Sequence, residues 1–395
     1  MKYVPRVAES RLRRLAGLFP AVAVTGPRQS GKTTLLRHAF PQYAFRSFDL
    51  PEERAFFEDD PRGFVSALPR HVILDEVQRV PPIFDYLKAE IDRRRDPGQF
   101  LLSGSARFSM VKGIAESLAG RCGFLTLLPF QRSEHPATGW KAMELGGGYP
   151  EVLLRGHRGT REWYGAYLET YLERDLRSLL DIGKLRDFRI VLGLLAARTA
   201  QELNLSAVAR QAGVTEKTVA AWVSVLEASY LVIPVPCFHR NFGKRLVKRS
   251  KLYFWDTGLA CHLTGVRSRE LLERGPLAGA LFENFVVAEI AKDTAHRGLD
   301  QKLFHARTNT GVEADFVLED LERRRIVFGE VKRRRTVRPD DARNLRALRE
   351  ASRDMQREGW AVDTVIVTTG DEHESLPDGT TVCGIETGFP GTITG

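Results

Sequence analysis

The sequence predicts an α/β protein built on a parallel sheet, followed by a mostly helical stretch and a second, smaller α/β region. Three observations carry this reading. Over residues 1–135, short β-rich runs (Ala21–Thr25, Val72–Leu74, Phe100–Leu102) alternate with helical patterns, as the strands and crossover helices of a parallel sheet do. Over 136–255 the periodicity turns helical, as in Trp163–Leu180 and Phe188–Ala197. Over 256–395 a helix, Leu281–Lys292, precedes strands at Ala314–Leu318, Ile326–Val331 and Thr364–Thr368, with a helical stretch Asp340–Arg357 between the last two. Gly146–Gly148 and Arg274–Gly279 are the expected bends between units.

Composition narrows the classes further. The 395 residues are 43% hydrophobic and 28% charged, which excludes a disordered or fibrous chain. Four scattered cysteines with no CxxC pair exclude a disulfide framework and a clustered zinc site. No apolar run reaches the roughly 18–20 residues that span a bilayer, and no apolar segment follows the basic start. A cytoplasmic protein with no membrane partner is expected. The net charge of +9 concentrates at 244–251, 323–325 and 332–335, which reads either as a footprint for DNA or as solvated faces.

The first region carries the clearest chemistry. Gly26, Pro27, Arg28, Gln29, Ser30, Gly31, Lys32 and Thr33 fit GxxxxGK[ST] and lie between an apolar strand, Val22–Val24, and a helix, Thr34–His38. In that context backbone N–H groups cradle phosphates, Lys32 reaches the β- and γ-phosphates, and the Thr33 hydroxyl ligates Mg²⁺. ATP and Mg²⁺ are therefore the expected ligands. His71–Glu76 is an apolar strand ending in two carboxylates: Asp75 to hold Mg²⁺ through its water shell, Glu76 to orient or deprotonate the attacking water. At the end of a third strand, Ser103 and Ser105 both stand where a hydroxyl can meet the γ-phosphate or the lytic water. Arg121 reads as a γ-phosphate contact, in its own subunit or a neighbouring one, or as a surface ion pair.

Taken in order, GPRQSGKTTLL, LDEVQRVP, LLSGSARF, ESLAGR and GGYPEV resemble the bacterial and archaeal AAA+-type ATPases. The closer resemblance is to the AAA_14 subgroup, which carries a C-terminal domain of unknown function, DUF4143. It continues through RSKLYFWDTGLACHL, GALFENFVVAEI, RTNTGVEADFVLE and GEVK. The resemblance implies a P-loop αβα sandwich with a small helical lid, and ATP as the nucleotide.

In the middle region, Leu205–Leu226 reads as a helix-turn-helix, with Val208, Ala209, Ala212, Val214, Val219, Trp222 and Leu226 apolar and Gly213 at the tight turn. Tyr230–Pro236 would then be the wing of a winged helix. The outward positions Glu216, Lys217, Thr218, Ala221 and Ser224 include a single basic residue, so contact with DNA and contact with a protein or a second copy both stay open. Lys244, Arg245, Lys248, Arg249 and Lys251, beside Phe238, His239 and Phe242, read as a backbone-phosphate patch.

At the C-terminus, Glu283 on a helix, Asp315 on a strand and Glu330-x-Lys332 on the next strand resemble the PD-(D/E)xK nuclease constellation. Residues two apart on a strand share a face, so Glu330 and Lys332 point together and Val331 points into the core. The resemblance implies Mg²⁺ held by Asp315 and Glu330 with Glu283 assisting, and Lys332 activating water. Two functions follow from the whole chain. One is a Mg²⁺-dependent ATPase coupled to a nuclease-like, DNA-acting domain. The other is a nucleotide-gated protein-interaction module with a non-cleaving scaffold at its C-terminus.

Overall fold

The structure, a computed structural model, describes residues 3–105, 114, 116–171, 185–238, 249–387 and 389–395. Contacts divide it into two compact units: Met1–Phe130 with Ala228–Leu231 and Ala295–Gly298, and Gln131–Glu227 with Val232–Thr294 and Leu299–Gly395. The regions 136–255 and 256–395, separate in the sequence reading, thus fall largely within one unit.

The first unit is built on five parallel strands: β1 (Ala21–Thr25), β2 (Ala44–Ser47), β3 (Val72–Asp75), β4 (Phe100–Ser103) and β5 (Cys122–Thr126), in the order β2-β3-β4-β1-β5. Strand alternation sends Ala21, Ala23, Leu74 and Leu102 to one face, where they pack with Ile83, Phe84 and Leu87. Val22, Val24, Ile73 and Leu101 go to the other, against Leu12 and Leu35. Burial on both faces is why these strands read as continuous apolar runs, and each large aliphatic side chain removed from water contributes about 1.5–3 kcal/mol. The sandwich has the expected α/β class. Because the strands are parallel, the C-terminal ends of β1, β3 and β4 line one edge, and every loop that carries phosphate chemistry leaves from it.

In the second unit, helices Leu205–Ala212 and Glu216–Ala228 flank Gly213 at φ +70°, as the turn requires. Val208, Val219, Trp222 and Leu226 are buried, whereas Glu216, Lys217, Ala221 and Ser224 face water. A three-stranded sheet follows, β6 (Gln201–Glu202), β7 (Val232–Val235) and β8 (Lys251–Phe254), in the order β6-β8-β7 with antiparallel pairing. Residues 239–248, with Lys244, Arg245 and Lys248, lie outside the described residues, as do 172–180 of the expected Trp163–Leu180 helix.

The remaining strands are β9 (Gln301–Arg307), β10 (Glu313–Asp320), β11 (Arg325–Lys332), β12 (Ala361–Thr368), β13 (His373–Ser375) and β14 (Thr381–Gly384). They form one sheet in the order β13-β14-β12-β11-β10-β9, antiparallel from β9 to β11 and parallel from β11 through β12 to β14. Helix Arg343–Ala351 covers it with Leu345 and Leu348 against Val317, Ile326, Phe328 and Ile366. Gly146–Gly148, expected as a bend between units, is instead packed inside the second unit. Asp256 caps helix Thr257–Thr264 through Leu259 N (3.0 Å), accepts from Gly148 N (2.7 Å) and takes the Tyr164 hydroxyl. Gly147 at φ +81° leaves no room for a Cβ against Tyr164 and Asp256, so GGYP and WDTG are two halves of one structural knot. The four cysteines are free and buried. No helix among the described residues is long and apolar enough to cross a membrane.

Candidate functional site

The loop after β1 is shaped by its own backbone. Gly26 at φ +144° passes so close to the Leu127 carbonyl that any Cβ would collide with it, and Gly31 at φ +93° caps helix Lys32–Ala39 in a left-handed conformation. Buried Arg6, which the sequence reading missed, clamps the loop from behind, donating to Ser30 O (3.0 Å) and Leu128 O (2.7 Å) with Phe130 under its guanidinium. Lys32 is buried and folds its ammonium onto the loop carbonyls of Gly26 (3.1 Å) and Pro27 (2.8 Å). Ser30 Oγ is buried without a hydrogen-bond partner. Pro27 is buried, Arg28 is half-buried, and Gln29 and Thr34 are exposed at the loop and helix start.

Asp75, at the end of β3, is the hub of this edge. The Thr33 hydroxyl donates to its Oδ1 at 2.9 Å, the Ser103 hydroxyl donates to the same oxygen, and Ser47 Oγ lies 3.4 Å from Oδ2. The geometry also separates the two serines: Ser103 belongs to Asp75, whereas Ser105 Oγ lies 3.4 Å from Gln78 Nε2. Glu76 adopts the left-handed φ of +56° that turns the chain away from β3, and Gln78 donates to its carboxylate at 2.5 Å. Burial pushes the Glu76 carboxyl up from its ordinary value, with the Lys32 charge opposing. An all-oxygen set of carboxylate and hydroxyls suits a hard cation, and the N–H-lined loop with its unpartnered serine suits phosphate. Mg²⁺ and ATP therefore fit the residues present.

Burial pushes the Lys32 ammonium down to about 8, against the pull of Glu76 and Asp75. A polyphosphate beside it must raise that value again. The sign follows: affinity for ATP is expected to be full below about pH 8 and to fall above it, with a proton taken up on binding near pH 8.5. Titration calorimetry in two buffers of different ionisation enthalpy should show that uptake, and Lys32→Met should abolish it.

Arg121 lies elsewhere. It precedes β5 level with the start of β1, and its carbonyl accepts from Ala21 N at 3.1 Å. The loop leaves the other end of β1, four residues and about 13 Å further along the sheet. Arg121 is committed there to a bidentate pair with Asp92 at 2.7 and 3.1 Å. Arg121 thus stands in a surface ion pair, one of the readings the sequence left open, away from the phosphate loop of its own chain.

At the C-terminal site, β10 and β11 form a hairpin that brings Asp315 beside Glu330 and Val331, and Val331 N donates to Asp315 Oδ2 at 2.8 Å. Glu330 and Lys332 share a face, with Nζ 2.5 Å from Oε1; Glu330 is buried and Val331 only half-buried, the reverse of the expected arrangement. Glu283, from helix Ala278–Arg297, joins them. Between Glu283 and Asp315 sits Lys251, 2.8 Å from Glu283 Oε1 and 3.1 Å from Asp315 Oδ1, while Tyr253 donates to Glu283 at 2.7 Å. Burial, and then the Asp315 charge, push the carboxyls of Glu283 and Glu330 up to about 7. Lys251, expected on a phosphate-binding surface, is therefore an internal ion-pair partner.

The basic run after β11 is corrected in the same way. Lys332 pairs with Glu330, Arg333 with buried Glu144, Arg334 with Asp341 and Arg335 with Asp371. Arg323 and Arg325 pair with Asp320 and Asp363. Much of the charge counted as a DNA footprint is matched locally by carboxylates.

Comparison with known proteins assigns an AAA domain to the residues around the first site. Residues 18–135 match the AAA domain, 139–270 a domain of unknown function (DUF8612), and 278–387 the domain of unknown function DUF4143. The uncharacterized protein Rv2008c of Mycobacterium tuberculosis is 33% identical over 344 residues, spanning 87% of this chain and 76% of its own. The chain belongs to this family of AAA-type ATPases with a DUF4143 domain. The uncharacterized protein Mb2031c of Mycobacterium bovis matches to the same extent. Among solved structures, the Walker-type ATPase PABY2304 of Pyrococcus abyssi matches 65% of this chain and 94% of its own, at 16% identity and TM-score 0.45. In this AAA-type ATPase, Gln78 and Ser47 are the site-edge residues the sequence reading missed. Gln78 stands two residues after the Asp-Glu pair, close enough to have been a candidate; Ser47 comes near Asp75 only through the β2–β3 register.

Proposed function

We propose that the chain binds ATP with Mg²⁺ at the loop 26–33 and hydrolyses it. The observation that supports this best is the convergence of Thr33 and Ser103 on Asp75, next to Glu76, along one sheet edge. Backbone N–H groups of Gly26–Thr33 hold the phosphates, and Lys32 leaves the loop carbonyls to meet the β- and γ-oxygens. Thr33 and Asp75 would hold the cation, which would supply positive charge beside the phosphates. Glu76 takes the proton from the attacking water as its oxygen bonds to the γ-phosphorus and the bond to the ADP oxygen breaks. Lys32→Ala is expected to abolish ATP binding in calorimetry; binding within a factor of about two of the unaltered chain would overturn the assignment.

For the C-terminal region there are two readings. In one it cuts DNA, with Asp315, Glu330 and Glu283 on Mg²⁺ and Lys332 at the water. In the other it is a non-cleaving module that engages a protein partner or a second copy under control of the nucleotide. The pairing of Lys251 with both Glu283 and Asp315 favours the second. Mg²⁺-dependent nicking of plasmid that disappears in Asp315→Ala would restore the first.

A further inference from the structure

We propose that Lys251 is the resident cation of the C-terminal carboxylate site. Its ammonium holds the place between Glu283 and Asp315 that a divalent ion would need, so the site takes neither Mg²⁺ nor Mn²⁺ while Lys251 is docked. The inference rests on the non-cleaving reading above and supplies its physical cause.

Lys251 opens β8, a strand of the three-stranded sheet, whereas Asp315 and Glu330 belong to the hairpin of the six-stranded sheet. The lysine side chain is 9% exposed and Glu283 and Asp315 only 16% and 13%, so little solvent screens the pair. Tyr253, two residues on and therefore on the same face of β8, binds the same Glu283 oxygen. The backbone of Val331 takes the second oxygen of Asp315, and Lys332 takes Oε1 of Glu330.

Three carboxylates thus meet two ammoniums: Glu283 Oε1, both Asp315 oxygens and Glu330 Oε1 are engaged, whereas buried Glu330 Oε2 has no hydrogen-bond partner. Octahedral Mg²⁺ requires oxygens at about 2.0–2.1 Å in near-ideal geometry. It cannot share Glu283 Oε1 and Asp315 Oδ1 with an ammonium that already contacts both. Among the described residues, no three His, Cys, Asp or Glu side chains are grouped to hold a metal ion. In a metal centre the outer oxygens of carboxylate ligands are oriented by hydrogen-bond donors around them; here an ammonium stands between the carboxylates themselves.

The test is Mn²⁺ binding followed by electron paramagnetic resonance, without nucleotide, in the full chain carrying Asp75→Asn so that the ATP site contributes nothing. The chain with Lys251 intact should show no site that depends on Asp315. Lys251→Met should gain one, tightening Mn²⁺ binding by roughly tenfold or more because a like charge about 4 Å away no longer opposes the ion. Adding Asp315→Asn should remove the gain, and Lys251→Arg, which keeps the cation, should not show it. Mn²⁺ bound by the Lys251 chain and released by Asp315→Asn overturns the proposal, and this arm decides by itself if Lys251→Met does not fold. A folded Lys251→Met chain without the gain overturns it too. Failure of the underlying reading looks different: the chain with Asp75 restored would nick plasmid in an Asp315-dependent manner. A chain that neither nicks DNA nor gains Mn²⁺ on Lys251→Met keeps that reading and loses the inference.

Discussion

Glu76→Gln is expected to bind ATP as the unaltered chain does and to turn it over roughly 10²–10⁴-fold more slowly, the usual contribution of a positioned general base. The side chain stands at the end of β3, held by Gln78 at 2.5 Å and turned toward the loop by a left-handed backbone that few non-glycine residues adopt. Burial raises its carboxyl from its ordinary value, with the Lys32 charge opposing. Glutamine keeps the shape and the bond to Gln78 through its carbonyl oxygen, but its amide takes no proton from water. A fluorescent ATP analogue would report the binding, and phosphate release under saturating ATP the turnover. Turnover within tenfold of the unaltered chain would remove Glu76 from the role and turn attention to Gln78 and Ser105.

Arg333→Met is expected to destabilise the fold by about 3–5 kcal/mol, the cost of leaving one partner of a buried pair uncompensated. Glu144 is fully buried, Arg333 meets both its oxygens, and a third guanidinium bond runs to Ala278 O at 3.0 Å. Burial already pushes the Glu144 carboxyl up to about 7 against the pull of Arg333, and without the arginine it must rise further. The pH dependence has a definite sign. A carboxyl raised in the folded state carries no penalty below its unfolded value near 4.5 and the full penalty above its folded one. The loss on Arg333→Met should therefore be smaller at pH 5 than at pH 8, and the double variant with Glu144→Gln should recover part of it. Urea denaturation at the two pH values measures both; a loss below about 1 kcal/mol at pH 8 would show that the pair is not structural.

These cases mark where a linear reading of residues stops. Lys332–Arg335 is a run of four positive charges in the sequence; in the fold Lys332 pairs with Glu330 of its own strand, and the three arginines pair with Glu144, Asp341 and Asp371 from elsewhere in the chain. Charge along a chain says nothing about which acids the topology brings opposite. Lys251 is the sharper instance. Next to Lys248 and Arg249 it reads as surface, yet it begins the strand KLYF, and a lysine whose strand is buried on both faces has nowhere to send its charge except to buried acids.

Local features are legible along the chain: strands, glycine turns, the phosphate loop with Asp75 and Glu76 downstream, and the helix-turn-helix around Gly213. Each depends on neighbours within a few residues, through periodicity, backbone freedom at glycine, or a motif whose atoms the loop itself supplies. The tertiary structure decided everything that depends on pairing at a distance. Register along the parallel edge joined Ser103 rather than Ser105 to Asp75, and strand direction put Arg121 at the wrong end of the sheet for its own ATP site. The β10–β11 hairpin set Asp315 beside Glu330, and β8 brought Lys251 between Asp315 and Glu283. Low-dielectric burial is what makes those partners decisive, since an ammonium taken out of water settles against whichever carboxylates the fold places within reach.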